Sequence, residues 1–258
     1  MPASKTNRPR LNPVLLASHY MTAKERVIDA GFAGEIDWQA SISFDAWDER
    51  TFLRESAWVV LSAGFRESVL RGRFCDVSAA FLDWVNADSI IAHRKRCRSN
   101  ALSAFRNPMK IDAILHIVKR VATESIEVIR EQIRSRGIEF IRELPFMGAV
   151  SSLHLAKNLG LPVSKPDRHL NRFAEAAGYS SSKEMCELIA KTVGDTVSVV
   201  DVVIWRYATL TPNYEMALRA AYPHVRGRTL WSGPRRGVEH QPPVIMSVGA
   251  QNQPVIGR

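Results

Sequence analysis

Cysteine is scarce in this sequence, and no long apolar run occurs in it. The three cysteines, Cys75, Cys97 and Cys186, lie too far apart for a zinc knuckle or an iron–sulfur loop, so we expect free thiols and no metal centre. No apolar run approaches the roughly 18 to 20 residues that span a membrane, and residues 1–10 lack the apolar stretch of a secretory signal. These absences argue against a disulfide-stapled or membrane protein, and we expect a cytoplasmic one.

Strand-like alternation of apolar and polar residues is almost absent as well, and helical spacing replaces it from about residue 47 to residue 222. Apolar residues within 111–121 recur at i, i+3, i+4 and i+7, which places one stripe on a core. Ser181 followed by Glu184 is a capping box at a helix start. The predicted helices cover roughly residues 48–63, 75–86, 110–121, 124–136, 149–159, 167–178, 182–193 and 197–209. With 46% hydrophobic residues among 258, the sequence predicts an all-α body with a substantial core.

The net charge of +9 is concentrated at the two ends of the chain. Residues 1–10 carry +3 and are predicted to be a basic arm, and residues 224–258 carry +4 and are predicted to be a flexible tail rich in Gly, Pro and Arg. The predicted body, residues 11–223, keeps only +2. Charge alone favours a polyanion but leaves two alternatives open for the tail, a solvated extension or an arm that adds DNA affinity.

The segment of residues 138–160 has the pattern of two helices joined by a tight turn. The first helix is predicted to end at Leu144, and the turn that includes Phe146 and Gly148 leads into a second helix near Ala149. The amides of Gly148, Ala149 and Val150 would then be free at a helix amino terminus, which suits them to bind a phosphate. Such a hairpin holds the backbone of one nucleic-acid strand without reading its bases.

A carboxylate follows this hairpin at Asp167, after a loop that begins at Gly160 and leads into the next helix. A carboxylate held near a bound strand can stabilise the positive charge that develops on a sugar when its base departs. Asp is also among the commonest residues at helix amino termini, so a purely capping role for Asp167 is the alternative.

The ordered set of hairpin, loop and Asp resembles the helix–hairpin–helix (HhH-GPD) DNA glycosylase superfamily of endonuclease-III-like enzymes. The residues that carry the resemblance are Leu144, Pro145, Gly148, Gly160, Pro162, Asp167, His169 and Arg172. Residues 61–63 are similar to the segment before the strand-wedging loop of endonuclease III, and residues 63–81 and 106–111 resemble the 3-methyladenine glycosylase I branch. The resemblance covers about residues 52–210 and lacks the family's iron–sulfur loop.

The resemblance implies a two-lobed helical fold with the active site in the cleft between the lobes. Asp167 takes the place of the catalytic aspartate, and Val150 stands where bifunctional members carry a Schiff-base lysine, which implies a monofunctional enzyme that leaves an abasic site. No cofactor is implied except a structural monovalent cation, K⁺ or Na⁺, at the hairpin carbonyls near Leu144 and Phe146. The DNA-binding residues that the resemblance implies are Gly148, Ala149, Val150, Lys165, Arg168 and Arg172, although the last three are equally compatible with solvated charges.

The resemblance also places a wedge, which fills the gap left by an extruded base, at Gly64, Phe65 and Arg66. The candidate base pocket is formed by Trp47, Trp58 and Glu67, with Trp84, Trp205 and Asp201 as further candidates. The glutamate that contacts the base in 3-methyladenine glycosylase I is replaced here by Val59, so the excised base stays open between an alkylated purine, a deaminated or oxidised base and a modified phage cytosine.

The partner implied is double-stranded DNA that contains a damaged or modified base, and the role is either repair or phage defence. We expect a monomer, nucleoid-associated if bacterial. Two alternatives stay open, a non-catalytic helix–hairpin–helix DNA-binding protein and an all-α interaction protein that does not bind DNA.

Overall fold

The computed structural model describes residues 10–221, so the predicted tail and residues 1–9 of the predicted arm lie outside the described residues. Every regular element within residues 10–221 is helical, which confirms the all-α class. Within this range, no helix is long and apolar enough to cross a membrane. The helices are α1 (Pro13–Val27), α2 (Ala33–Ser41), α3 (Glu49–Ser62), α4 (Glu67–Ala80), α5 (Ala87–Ala92), α6 (Arg94–Ala104), α7 (Pro108–Glu124), α8 (Ile126–Arg136), α9 (Ile138–Arg142), α10 (Ala149–Asn158), α11 (Arg168–Ala176), α12 (Ser182–Val193), α13 (Val197–Leu210) and α14 (Tyr214–Ala221).

The predicted helices match α3, α7, α8 and α10–α13 to within a few residues. The predicted helix over 75–86 was wrong in its bounds, because α4 begins at Glu67 and a 3₁₀ turn, Leu82–Trp84, follows it. Its buried residues Leu70, Phe74 and Val77 are spaced by four and three, so one apolar stripe starts earlier than predicted.

Helices α1, α2, α5, α6 and α14 were not predicted from the sequence. In α6 only Cys97 and Ala101 are buried, so this helix has no broad apolar stripe for pattern recognition to find. The start of α1 did carry a local signal, since the Asn12 side chain accepts a hydrogen bond from the Leu15 amide and Pro13 is the first helical residue.

The helices enclose two hydrophobic cores. The central core is built from α3–α10 and contains buried residues from Trp47 to Leu159. The terminal core joins α1 and α2 to the carboxy-terminal helices α11–α14, with α1 packed on α12 and α13. The segment before α1 is tied to the end of α11, because Leu11 N donates to Ala177 O at 3.0 Å and Tyr179 Oη donates to Leu11 O at 2.8 Å. Helices from opposite ends of the described range therefore share one core.

The loop between α10 and α11 runs from the central core to the terminal core. Leu161 and Val163 pack against the central core, and the Ser198 hydroxyl on α13 lies within hydrogen-bond distance of their carbonyls, at 3.2 and 3.3 Å. The loop ends at Asp167, which begins α11. Packing of both cores against this loop therefore fixes the position of the Asp167 carboxylate.

Candidate functional site

A cleft of about 1040 Å³ is lined by residues of both cores. The terminal core contributes α2, α13 and the start of α11, and the central core contributes α3, α4, the loop between them and the cleft-facing side of α10. The loop before α11 completes the wall. Clefts of this size are typical sites for small molecules and cofactors. Among residues 10–221, no group of three or more His, Cys, Asp or Glu side chains is arranged to hold a metal ion.

The hairpin that leads into α10 has the predicted turn and the predicted helix start at Ala149. Phe146 adopts a left-handed backbone conformation with φ of 64°, and the Met147 amide donates to the Leu144 carbonyl at 3.1 Å. Gly148 is the amino-terminal cap and offers no side-chain acceptor to the first amides of α10. These amides are therefore available to an anion near the cleft, which Val150 lines. The monovalent cation at the carbonyls of Leu144 and Phe146 stays a prediction.

Asp167 is half-buried and lines the cleft. Its Oδ1 accepts hydrogen bonds from the amides of His169 and Leu170 at 2.8 and 3.0 Å, so the residue is the amino-terminal cap of α11. Both capping bonds end on the same oxygen. Capping and a role in the cleft are therefore compatible, because the bonds to Oδ1 fix the carboxylate in one orientation while the side chain faces the cleft.

A buried network at the floor of the cleft holds the loop that carries Asp167. Asp201 on α13, only 2% exposed, forms an ion pair with Lys157 on α10 and accepts a hydrogen bond from the Lys165 amide at 2.5 Å. The Lys165 carbonyl in turn accepts from the Asp167 amide at 2.7 Å. Burial raises the pKa of Asp201, although the charge of Lys157 opposes this shift. Both carboxylate oxygens of Asp201 are engaged, so the structure does not support Asp201 as an acceptor for a base.

Two histidines line the cleft near this network. Burial, followed by the charges of Lys165 and Lys157, holds the pKa of His154 well below its ordinary value. Burial also lowers the pKa of His169, and the neighbouring charge of Asp167 opposes this. Both imidazoles are therefore neutral at neutral pH.

Of the residues predicted to form the base pocket, some line the cleft and others are buried in the central core. Trp58 and Glu67 line the cleft. The Trp58 ring packs edge-on against Phe74 at 5.0 Å, and Glu67 forms an ion pair with Arg71 one helical turn away. The prediction that Trp47 belongs to the base pocket was wrong, because Trp47 is 4% exposed in the central core and is not part of the cleft wall. Its ring packs on Phe52 at 5.7 Å and beneath the Arg130 guanidinium, and the further candidate Trp84 is likewise buried in this core.

The structure adds cleft residues that sequence reasoning missed, chiefly Glu35 and Trp38 on α2 and Arg206 on α13. Arg206 binds Glu35 through two hydrogen bonds of 2.8 and 2.5 Å, and its guanidinium lies over the Trp205 ring at 4.6 Å. Trp205, a further candidate for the base pocket, lines the cleft and is only partly buried. Glu35 and Trp38 were not identified as cleft residues from the sequence, because α2 itself was not predicted.

A second buried carboxyl belongs to Glu55 on α3, which also lines the cleft. It accepts hydrogen bonds from Asn158 at 2.8 Å and from Arg54 at 2.9 Å. Burial raises the pKa of Glu55, while the charge of Arg54 and the Asn158 hydrogen bond oppose the shift. The cleft wall therefore mixes aromatic faces with fixed polar groups.

The three predicted wedge residues all line the cleft. Gly64 has φ of 77°, a conformation that favours glycine, and Arg66 is the exposed residue that precedes α4. Phe65 is 44% exposed and its ring lies 5.0 Å from that of Phe105. The role of these residues as a wedge stays a prediction.

The predicted phosphate-binding cations divide into two groups. Lys165 is half-buried and lines the cleft, and burial together with the charge of Lys157 lowers its pKa. Arg168 and Arg172 are exposed on α11, and of these two only Arg168 is part of the cleft wall. Arg168 Nε donates to His169 Nε2 at 3.3 Å, and the exposed guanidinium groups of both residues are accessible to a polyanion.

Compared with known protein families, curated proteins and solved structures, the chain matches none of them.

Proposed function

We propose that this chain is a monofunctional DNA N-glycosylase, which extrudes a damaged or modified base from duplex DNA and hydrolyses its N-glycosidic bond. One observation carries the proposal. A carboxylate fixed by its capping bonds, Asp167, lines the same cleft as Val150 in the uncapped first turn of α10. The two features supply a group that stabilises positive charge and a set of amide donors for a backbone phosphate.

Besides these groups, the hydrolysis requires a water molecule. As the bond between the sugar C1′ and the base nitrogen breaks, the base leaves with the electron pair and positive charge develops on the sugar. The Asp167 carboxylate stabilises that charge, and a water molecule forms the new bond to C1′ and gives its proton to the carboxylate. Because Oδ1 is held by two amides, the carboxylate does not have to reorganise as the charge develops.

The arrangement of the two cores supports the same proposal. Helices α1 and α2 join α11–α14 in the terminal core, α3–α10 form the central core, and residues of both cores line the cleft. A two-lobed HhH-GPD fold with its active site between the lobes would have this organisation. The cleft also offers the aromatic faces of Trp58 and Trp205 to an extruded base.

The absence of lyase chemistry is proposed from α10. Val150 in the first turn lines the cleft and cannot form a Schiff base. Lys157, two turns further along, also lines the cleft, but its ammonium is ion-paired with Asp201 and has no lone pair to attack a sugar. The expected product is therefore an intact abasic site, without strand cleavage.

Base release measured by mass spectrometry tests the proposal. Wild type and Asp167→Asn are incubated with DNA that carries alkylated, deaminated or oxidised bases and with hypermodified phage DNA. We expect Asp167→Asn to lower release by about 100-fold or more, because the charge is lost. The same variant should keep its stability and DNA affinity, because Asn is an equally good helix cap.

Asp48→Asn is the matched control. Asp48 also caps a helix, since its Oδ1 accepts from the Thr51 amide at 2.8 Å, but it is not part of the cleft wall. This variant should release base at the wild-type rate. Unchanged activity in Asp167→Asn would remove Asp167 from the mechanism. Salt-dependent duplex binding without release of any base would favour the non-catalytic DNA-binding protein instead.

A further inference from the structure

Lys110 in the first turn of α7 is a buried lysine, 5% exposed, whose ammonium is bound entirely by main-chain carbonyls. Its Nζ donates to the carbonyls of Val60, Leu61 and Ala63 at 2.6, 2.8 and 2.5 Å. An ammonium has three N–H donors, so these three bonds use all of them. Val60 and Leu61 lie in the last turn of α3 and Ala63 is its carboxy-terminal cap, the end at which the helix dipole also favours a cation.

The same ammonium lies beneath two exposed aromatic rings. It is 4.8 Å from the centre of the Phe65 ring and 5.9 Å from that of Phe146, both within the range of cation–π attraction. Phe65 belongs to the loop between α3 and α4, and Phe146, 38% exposed, belongs to the hairpin turn before α10. Lys110 therefore joins three parts of the chain that are distant in sequence, namely its own helix α7, the end of α3 with the adjoining Phe65 loop, and the hairpin turn.

No ion pair satisfies Lys110 within residues 10–221. Burial alone lowers its pKa to about 8, so the position is costly for a cation. The ammonium fixes the position of the loop that follows α3. Gly64 gives the loop a conformation that other residues rarely adopt, and Lys110 donates its three hydrogen bonds to carbonyls within the four residues before it.

We propose that Lys110 is a positioning residue for base extrusion, which holds the Phe65 ring in register with the hairpin so that the ring enters the duplex while the α10 amides hold the backbone. This inference rests on the proposed glycosylase function. Extrusion of a paired base costs about a few kcal/mol of free energy. A loop that moves away from the duplex cannot offset this cost, because its ring no longer fills the gap left by the base. A wedge that is already held in place loses less conformational entropy when it inserts.

The test compares one target base in two contexts, fully paired in duplex DNA and placed opposite an abasic site, where extrusion is already easy. Single-turnover base release is measured for wild type, Lys110→Met and Phe65→Ala. We expect Lys110→Met to lower release from the paired context by about tenfold or more and to leave the unpaired context nearly unchanged. Phe65→Ala should give the same pattern, and the double variant should be no slower than Phe65→Ala alone.

Lys119→Met is the matched control, because Lys119 is exposed on the same helix and should not alter either rate. Lys110→Gln, which keeps a side-chain donor, replaces Lys110→Met if the latter fails to fold, and it must show the same loss confined to the paired context. Equal losses in both contexts would show a merely structural role and overturn the inference. Release by wild type from neither DNA would overturn the proposed function itself, and the inference with it.

Discussion

The ion pair between Lys157 and Asp201 is the most deeply buried of those within residues 10–221, and we predict that breaking it lowers the free energy of unfolding strongly. Lys157 lies on α10 beside the central core, and Asp201 lies on α13 in the terminal core. Asp201→Asn removes the charge but keeps an oxygen that can accept from the Lys165 amide. The substitution therefore isolates the loss of the counter-charge from the loss of the loop hydrogen bond.

The expected magnitude follows from burial. Removing one partner of a buried ion pair costs about 3–5 kcal/mol, because the other charge stays desolvated and unpaired. Lys157→Met should cost less than Asp201→Asn, since burial already raises the pKa of Asp201 and the carboxyl can take up a proton. The double variant contains no unpaired charge, so its loss should fall short of the sum of the single losses by about 2 kcal/mol or more.

Urea unfolding at pH 7, followed by circular dichroism, measures these free energies. The exposed pair Lys183 and Glu187, whose charged atoms are 3.8 Å apart, provides the control, because removing either residue should change stability by no more than about 0.5 kcal/mol. Single variants of Lys157 and Asp201 that lie within about 1 kcal/mol of wild type would refute this reasoning. Additive losses in the double variant would refute it as well.

Two further predictions concern the loop after α10 and a histidine in the cleft. Gly160→Ala should destabilise the protein by several kcal/mol more than Gly194→Ala, because both glycines have φ near 86° but only at Gly160 would a Cβ approach main-chain atoms, to 2.6 Å from Phe44 N; equal melting temperatures for the two variants would contradict this. The free energy of unfolding of wild type should fall as the pH drops below about 6.5, and His154 should contribute at most about 1.4 kcal/mol per pH unit to this fall, because the unfolded chain binds a proton there that the folded chain, with its lowered pKa, does not; His19 and His169, whose pKa values burial also lowers, add to the fall in wild type and in His154→Gln alike. His154→Gln should fall less over pH 7 to 5, and parallel curves for the two proteins would contradict the assignment.

Local signals in the sequence were sufficient for several parts of the fold. Ser181 caps the start of α12 as predicted, since its hydroxyl accepts from the Glu184 amide at 3.3 Å, while the Glu184 carboxylate pairs with Arg10. The turn before Ala149 and the helix start at Asp167 were also predicted correctly from short local patterns. Caps and tight turns are formed by residues within four positions of one another, so their physical causes are contained in a short stretch of sequence.

The cleft wall could not be predicted in the same way. Trp47, Trp58 and Trp205 were all candidates for the base pocket, yet Trp47 is in the central core and the other two line the cleft. The ion pair of Glu35 with Arg206 joins residues from opposite ends of the described range. Such contacts depend on how α2 and α13 pack, and the sequence pattern of either helix does not contain that information.

The sequence by itself therefore determined the helical class, the hairpin and the position of Asp167 at a helix start, because hydrophobic period and capping act over a few residues. Only the tertiary structure decided that the amino-terminal helices share a core with the carboxy-terminal ones, and that Asp167, Lys157 and Asp201 meet at one cleft. The physical reason is that burial of a helix face requires a partner surface, and which surface that is depends on the packing of the whole chain.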